Sequence, residues 1–352
     1  MKSFLNEKLS KVTPYVPGEQ PQDKKYIKLN TNESPFPMSR KAKKLAVNEL
    51  KKIRLYPDPD LVELTKTVAD DLGVSEKNVL MTNGSDEILN FAFMAYCDKS
   101  IPAVFADITY GFYKVFAEIN DTAYRVIPLK EDFTIDVSDY FNANGTVFIA
   151  NPNAPTGINL PLSEIRKVLD SNKNNIVVID EAYVDFGGES AVKLIGEYDN
   201  LLVTRTFSKS RSMAGARLGF GVASEKIIRD LTTVKYSTNP YNVNRLSAVL
   251  GIASVKDDNY FKKCVNEIVR VRDLTVAKLK NLGFYVTDTK ANFIFAKSEK
   301  IDGETLYKQL REKGVLVRHF ANERIKEFIR ISVGDKKQMK TFIDCVKDIL
   351  GE

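Results

Sequence analysis

The side chains best suited to covalent chemistry in this 352-residue chain stand just past the ends of apolar runs. Lys209, in Phe207-Ser208-Lys209, follows the run LLVTRT, and Arg217 comes eight residues later in Gly215-Ala216-Arg217-Leu218-Gly219. A lysine among small and hydroxyl neighbours is a candidate Schiff-base former, and a nearby cation such as Arg217 favours the neutral amine that this chemistry needs. Asp180 closes the run NIVVI in Asp180-Glu181-Ala182-Tyr183. A carboxylate buried at a strand end is costly unless it is paired, so Asp180 is expected to have a cationic partner.

Two turns add polar groups in the same manner. After VLMT comes Asn83-Gly84-Ser85-Asp86-Glu87, where a glycine opens a helix whose free N–H groups can cup a phosphate. An ordinary N-cap has the same composition, and neither a P-loop lysine nor GxGxxG accompanies it. After TVFIA comes Asn151-Pro152-Asn153-Ala154-Pro155-Thr156-Gly157, where two prolines and a glycine fix a rigid turn that presents Asn153 at the sheet edge. A purely structural turn reads alike.

Composition narrows the chemistry. The one histidine, His319, excludes a histidine-rich metal site and leaves a Ser-His-Asp or Cys-His mechanism only if it is itself the base. No metal is expected. Cys97, Cys264 and Cys345 are far apart and odd in number, which fits a reducing cytoplasm better than a disulfide framework. MKSFLNEKLSKV breaks every apolar pair with a charge, so no secretory leader is expected. The longest apolar stretch, 88–97, is half the ~20 residues of a membrane span, so no membrane partner is expected either. Lys and Arg exceed Asp and Glu by 52 minus 46, or +6, but the basic residues interleave with acids along helices. That reads as solvated helix surface with no nucleic-acid partner, part of the excess being open to a small anionic ligand.

The elements that must position these groups follow from periodicity. Seven short runs, 79–82, 104–107, 124–129, 146–151, 175–180, 201–206 and 217–224, alternate in places with helical patterns at 85–96, 111–120 and 163–172. Continuous apolar strands between helices predict a mostly parallel sheet covered on both faces, with its ligand at the carboxyl ends of the strands. Beyond a long helix near 259–282, strands at 284–287, 292–297, 314–319 and 328–333 and helices at 303–313 and 336–350 predict a smaller α+β unit. The expected division is an N-terminal arm over 1–45, a large α/β domain over 46–255 and a small domain over 256–352. The proline-rich arm should lie against the C-terminal part.

In chain order, LNTNESPFP, RLYPDP, TNGSDEIL, Tyr110, NPNAPTG, DEAYVDF, RTFSK and ARLGFGVA resemble the fold-type I pyridoxal-phosphate-dependent aminotransferases. The likeness runs from PYVPG at 14–18 to FIRISVG at 328–334, and PYVPG, DEAYVDF and RTFSK are similar to the group that acts on histidinol phosphate. This implies an α/β fold with a mostly parallel seven-stranded sheet and a smaller α+β domain, and pyridoxal 5′-phosphate as cofactor. The resemblance assigns Lys209 as the residue that holds the cofactor and moves the proton. Asp180 would pair with the ring nitrogen, Asn153 and Tyr183 with the ring's phenolic oxygen, and Tyr110 would stack on the ring. Gly84, Ser85, Asp86, Thr206, Ser208 and Arg217 would bind the cofactor phosphate, with Tyr56 reaching it from the neighbouring subunit of a homodimer.

For the substrate, the resemblance assigns Arg330 to a carboxylate, Arg318 to a phosphate, and Tyr15 and Asn32 to segments closing over the ligand. The implied reaction passes the amino group of L-histidinol phosphate to 2-oxoglutarate, giving 3-(imidazol-4-yl)-2-oxopropyl phosphate and L-glutamate. His319 and Ala154 depart from the group's usual residues, the latter replacing a frequent second asparagine. Threonine-phosphate decarboxylation and aromatic amino acid transamination are the alternatives on the same fold.

Overall fold

The computed structural model describes residues 4–352; residues 1–3, the start of the arm and of the segment read for a leader, lie outside the described residues. A two-residue strand, β1 (Ile27–Lys28), precedes helices α1 (Arg40–Glu49) and α2 (Val62–Leu72). The seven expected runs then form β2 (Val79–Thr82), β3 (Ala103–Ala106), β4 (Tyr124–Ile127), β5 (Thr146–Ala150), β6 (Val177–Asp180), β7 (Leu201–Thr206) and β8 (Gly219–Ala223). They lie in one sheet in the order β2-β8-β7-β6-β5-β3-β4. Only β8 runs against the others, so the sheet is mostly parallel, as expected.

Helices α3 (Ser85–Tyr96), α4 (Phe112–Ile119), α5 (Leu162–Ser171), α6 (Glu225–Thr238) and α7 (Arg245–Lys256) complete this unit. Strand alternation explains why both faces of the sheet are apolar. Val177, Ile179, Leu201 and Val203 enter one buried cluster, and Val178, Leu202 and Phe148 enter the other. Each such residue stabilises the fold by roughly 1.5–3 kcal/mol when fully buried. Helices α2, α6 and α7 have no counterpart among the helices expected from sequence. In α7, apolar and small residues run around much of the circumference, so no polar stripe marks it, and it packs against both α1 and α2.

The second sheet is antiparallel. After α8 (Asp258–Asn281) come β9 (Phe284–Val286), β10 (Phe293–Ser298), α9 (Gly303–Glu312), β11 (Val315–Leu316), β12 (Arg318–His319), β13 (Phe328–Ser332) and α10 (Lys336–Leu350). Four of the strands pair in the order β12-β13-β10-β9. The run 314–319, expected as one strand, is divided, because β1 pairs with its first half in parallel and β13 with its second half. The expected strand 217–224 begins only at Gly219, since Arg217 adopts a left-handed backbone (φ 50°) that a strand cannot carry. Residues 27–32 of the arm attach to this second unit: Leu29 joins its core, and the Asn32 N–H donates to Ser332 Oγ at 2.7 Å.

Candidate active site

The carboxyl ends of β5, β6 and β7, together with the N-terminus of α3, converge on a cavity of about 160 Å³. Period-two alternation along β7 turns Thr204 and Thr206 to the side of Asp180, which pairs in register with Thr204. Asp180 is buried, and its carboxylate accepts from Tyr113 Oη at 3.0 Å and Thr204 Oγ1 at 3.0 Å. Among the described residues no lysine or arginine pairs with it, so the cationic partner expected for Asp180 is not supplied by a described protein side chain. Burial therefore prevails over the two hydroxyls and the Ala182 backbone bond and pushes its pKa up to about 6.

Lys209 lines the same cavity, its Nζ donating to the Thr31 carbonyl at 3.4 Å and standing 5.8 Å from the centre of the Tyr183 ring. Tyr183 Oη accepts from Asn32 Nδ2 at 3.0 Å and keeps its own proton to donate. The cup before α3 forms because Gly84 takes φ 83°, and a Cβ there would meet the Arg217 guanidinium at 2.7 Å. Strand β8 presses on the same turn at Gly219, where a Cβ would come within 2.5 Å of the backbone of Gly84 and Ser85. Arg217 reaches Asp86 at 3.1 Å and Ser208 Oγ at 3.4 Å, and Asp86 also accepts from Tyr110 Oη at 2.6 Å. The result is a cavity that combines N–H, hydroxyl and guanidinium donors, suited to a phosphate, with a buried carboxylate and a lysine.

A second cleft of about 450 Å³ opens from the same lysine and shares Tyr110 and Tyr183 with the first. Tyr15, Asn32, Arg318 and Arg330 all line it. Arg318 donates to the carbonyls of Val16 (2.9 Å) and Pro17 (3.0 Å), so the arm crosses the cleft mouth tied to β12. Arg330 donates to the Asn30 carbonyl at 3.2 Å, its Nε has no hydrogen-bond partner among the described residues, and burial lowers its pKa. Asn32 uses its side chain on Tyr183 and Ser332, so it holds the wall together.

Two of the expected residues stand apart. Asn153 is buried but does not line the cavity. Its Nδ2 donates to the Ile108 carbonyl and Thr156 Oγ1, and its Oδ1 accepts from Thr109, because the rigid turn folds the amide back onto itself and the β3–α4 loop. Tyr56 is 77% exposed, stacked on Tyr241 at 4.6 Å and away from both cavities of its own chain. Conversely, Tyr113 and Thr204, the partners of Asp180, were not among the residues singled out from sequence. Thr204 could have been found from its place two residues before Thr206 on the same strand face. Phe320, whose ring lies 5.7 Å from the Arg318 and 5.6 Å from the Arg330 guanidinium carbon, carried no signal.

The family pattern described as aminotransferase class I and II matches residues 24–346. This chain is a member of that family. Its relatives are close over the whole length. A histidinol-phosphate aminotransferase of Brachyspira hyodysenteriae is 49% identical over 352 residues, covering 99% of each chain. One of Clostridium acetobutylicum is 47% identical over 351 residues, covering 99% of this chain and all of the relative. Among solved structures, the histidinol-phosphate aminotransferase of Sinorhizobium meliloti in complex with pyridoxal-5′-phosphate superposes with a TM-score of 0.91 at 21% identity, covering 100% of this chain and 98% of that one. The aminotransferase fold thus extends over both sheets and the arm.

Proposed function

We propose that this aminotransferase binds pyridoxal 5′-phosphate and passes the amino group of L-histidinol phosphate to 2-oxoglutarate, yielding 3-(imidazol-4-yl)-2-oxopropyl phosphate and L-glutamate. The observation that carries the reading is Asp180, a buried carboxylate held by two hydroxyls and the Ala182 backbone with no protein cation beside it among the described residues, lining one cavity with Lys209 and the Arg217 cup. That set fits the cofactor group by group. A protonated pyridine nitrogen supplies the positive partner that Asp180 lacks in the protein, and a phosphate suits Ser85, Thr206, Ser208 and Arg217. The choice of substrate comes from the names of the relatives at 42–49% identity.

When bound, the cofactor supplies an electron sink for the C–H bond at the amino-bearing carbon. Lys209 would hold the cofactor, and its Nζ would take up the proton from that carbon. Tyr183, whose hydroxyl proton is free to donate, would hydrogen-bond the ring oxygen, whereas the Asn153 amide is engaged in its own turn. Tyr110, its hydroxyl fixed by Asp86, bounds the ring pocket. Arg318 recognises the substrate phosphate and Arg330 the carboxylate of glutamate, while the arm carrying Tyr15 keeps water from the cleft.

We further propose a cytoplasmic homodimer in which Tyr56 reaches the partner's cofactor phosphate. Its exposure beside Leu50, Ile53 and Leu55, also exposed, supports this. The domain division at 46–255 and 256–352, with an arm over 1–45, belongs to the same proposal. A substrate panel with 2-oxoglutarate as acceptor tests the reaction. Histidinol phosphate should be preferred over phenylalanine and tyrosine, and threonine phosphate should release no carbon dioxide. A protein that takes up no pyridoxal phosphate would sink the reading.

A further inference from the structure

The motifs DEAYVDF and RTFSK contain charged residues that the proposed chemistry does not use: Glu181, Asp185 and Arg205. None of them lines the cofactor cavity or the substrate cleft. They meet on the other face of the sheet, because alternation along β7 sends Arg205 away from Thr204 and Thr206. Arg205 pairs with Asp185 at 2.5 Å and lies 3.7 Å from Glu181. Asp185 also accepts from Ser210 Oγ at 2.5 Å, and Ser210 directly follows Lys209. Glu181 accepts from Ser190 Oγ at 2.6 Å and the Ala191 N–H at 2.5 Å. Arg211, the next residue, pairs with Asp71 at 3.1 Å.

Three groups of the reactive face, Asp180, Thr206 and Lys209, therefore each have an immediate sequence neighbour in one polar cluster behind the sheet. The two carboxylates there differ in kind. Burial pushes Glu181 up to about 7, whereas for Asp185 burial is outweighed by Arg205 and Ser210, which hold it below its ordinary value. The permanent ion pair is thus Asp185 with Arg205, and Ser210 is attached to the anionic member. A turn fastened at both ends in this way has little freedom to shift the side chain between them.

We propose that Asp185 is a positioning residue for Lys209: by bonding Arg205 of β7 and Ser210 of the lysine turn together, it clamps residues 206–210 and sets where Nζ stands relative to Asp180. The inference rests on the function proposed above for its catalytic consequence, and on the geometry alone for the clamp. The variants are Asp185→Asn, Asp185→Glu and Ser210→Ala, the last removing one hydroxyl with little change in packing. In the cofactor-free chain, amide exchange over 207–212 should accelerate about ten-fold in Asp185→Asn and Ser210→Ala while 293–298 in the second sheet keeps its rate. In protein loaded with pyridoxal phosphate, the pH midpoint of the visible band should move. There kcat should fall on the order of ten-fold with KM for the amino donor little changed, and Asp185→Glu should recover part of the loss. Unchanged exchange over 207–212 in Ser210→Ala, exchange accelerated evenly across the chain, or a rise in KM with kcat intact overturns the proposal. If Asp185→Asn does not fold, Ser210→Ala decides alone. A wild-type chain that neither binds pyridoxal phosphate nor transaminates defeats the proposed function, and the exchange comparison still decides the clamp.

Discussion

The two cavities that meet at Lys209 are built on different principles. The cavity around Asp180 is made by strand ends and one helix start of a single sheet, and its polar groups bond to one another: Asp180 to Tyr113 and Thr204, Arg217 to Asp86, Asp86 to Tyr110. The cleft beyond it is assembled from the arm, the β3–α4 loop and the second sheet, and its two arginines are bonded to backbone carbonyls of the arm segment, Arg318 to Val16 and Pro17, Arg330 to Asn30. A group held by neutral carbonyls can exchange them for a phosphate or carboxylate at a net gain, since charge-assisted bonds are the stronger kind. The difference separates a site organised before its ligand arrives from one that the ligand completes.

The comparison is most severely tested at the shared residue. Lys209→Ala should remove the visible band of the cofactor-loaded protein and lower kcat by at least about 10³-fold, because it eliminates both covalent attachment and the proton carrier. Retained turnover would show that the two cavities do not meet at this lysine. Arg318→Ala should act on the cleft alone. It removes a charged hydrogen-bonding partner worth about 1.5–3 kcal/mol, so kcat/KM for histidinol phosphate should fall roughly 10- to 150-fold while an unphosphorylated analogue changes little. The same variant should leave pyridoxal phosphate affinity unaltered, and a loss there would erase the distinction between the regions.

The preorganised cavity also has a measurable stability signature. Asp180 has a folded pKa of about 6, above its ordinary value of 3.8, so the folded chain binds its proton more tightly than the unfolded one. Stability of the cofactor-free protein should therefore fall as pH rises from about 4 to about 6, and this contribution should stay lost above that, by on the order of 1–3 kcal/mol. Asp180→Asn should make the fall shallower, leaving the part that Glu181, pushed up to about 7, contributes, as read from urea unfolding at a series of pH values, and should weaken cofactor binding. A wild-type profile that rises through the same window would contradict the assignment of Asp180 as an unpaired buried acid. The smallest effect is expected from Tyr56→Phe, which should loosen pyridoxal phosphate by about two- to ten-fold, the worth of one hydroxyl hydrogen bond. Its dependence on protein concentration would report the proposed dimer.

Much of the preorganised cavity was legible before any tertiary structure. Lys209, Asp180 and the Gly84 turn stand at or just past the ends of apolar runs, and in a parallel sheet such residues converge at one edge, where Arg217 enters at the start of the antiparallel β8 run. The cleft was less legible, and its assignments rested on the resemblance to the aminotransferases. Nothing local announces that Arg318 bonds to carbonyls of residues 16 and 17, or that the run 314–319 changes sheets at Val317. Asn153 shows the opposite failure: its turn was recognised, but the direction of its amide depends on Thr109 and the Ile108 carbonyl, more than 40 residues away. The clamp behind the sheet had no local signal, because Glu181, Asp185, Arg205 and Ser210 meet only when the end of β6, β7 and the lysine turn are folded together.

By itself the sequence determined which side chains stand at strand ends, because strand periodicity and turn composition are properties of a few adjacent residues. Tertiary structure alone decided which of those side chains find partners and which remain available. Those partners are supplied by segments distant in the chain: Tyr113 for Asp180, Asn32 for Tyr183, Ser332 for Asn32, the arm for Arg318. Whether a buried carboxylate is paired or waits for a ligand depends on the whole shell around it, and only the folded chain brings that shell together.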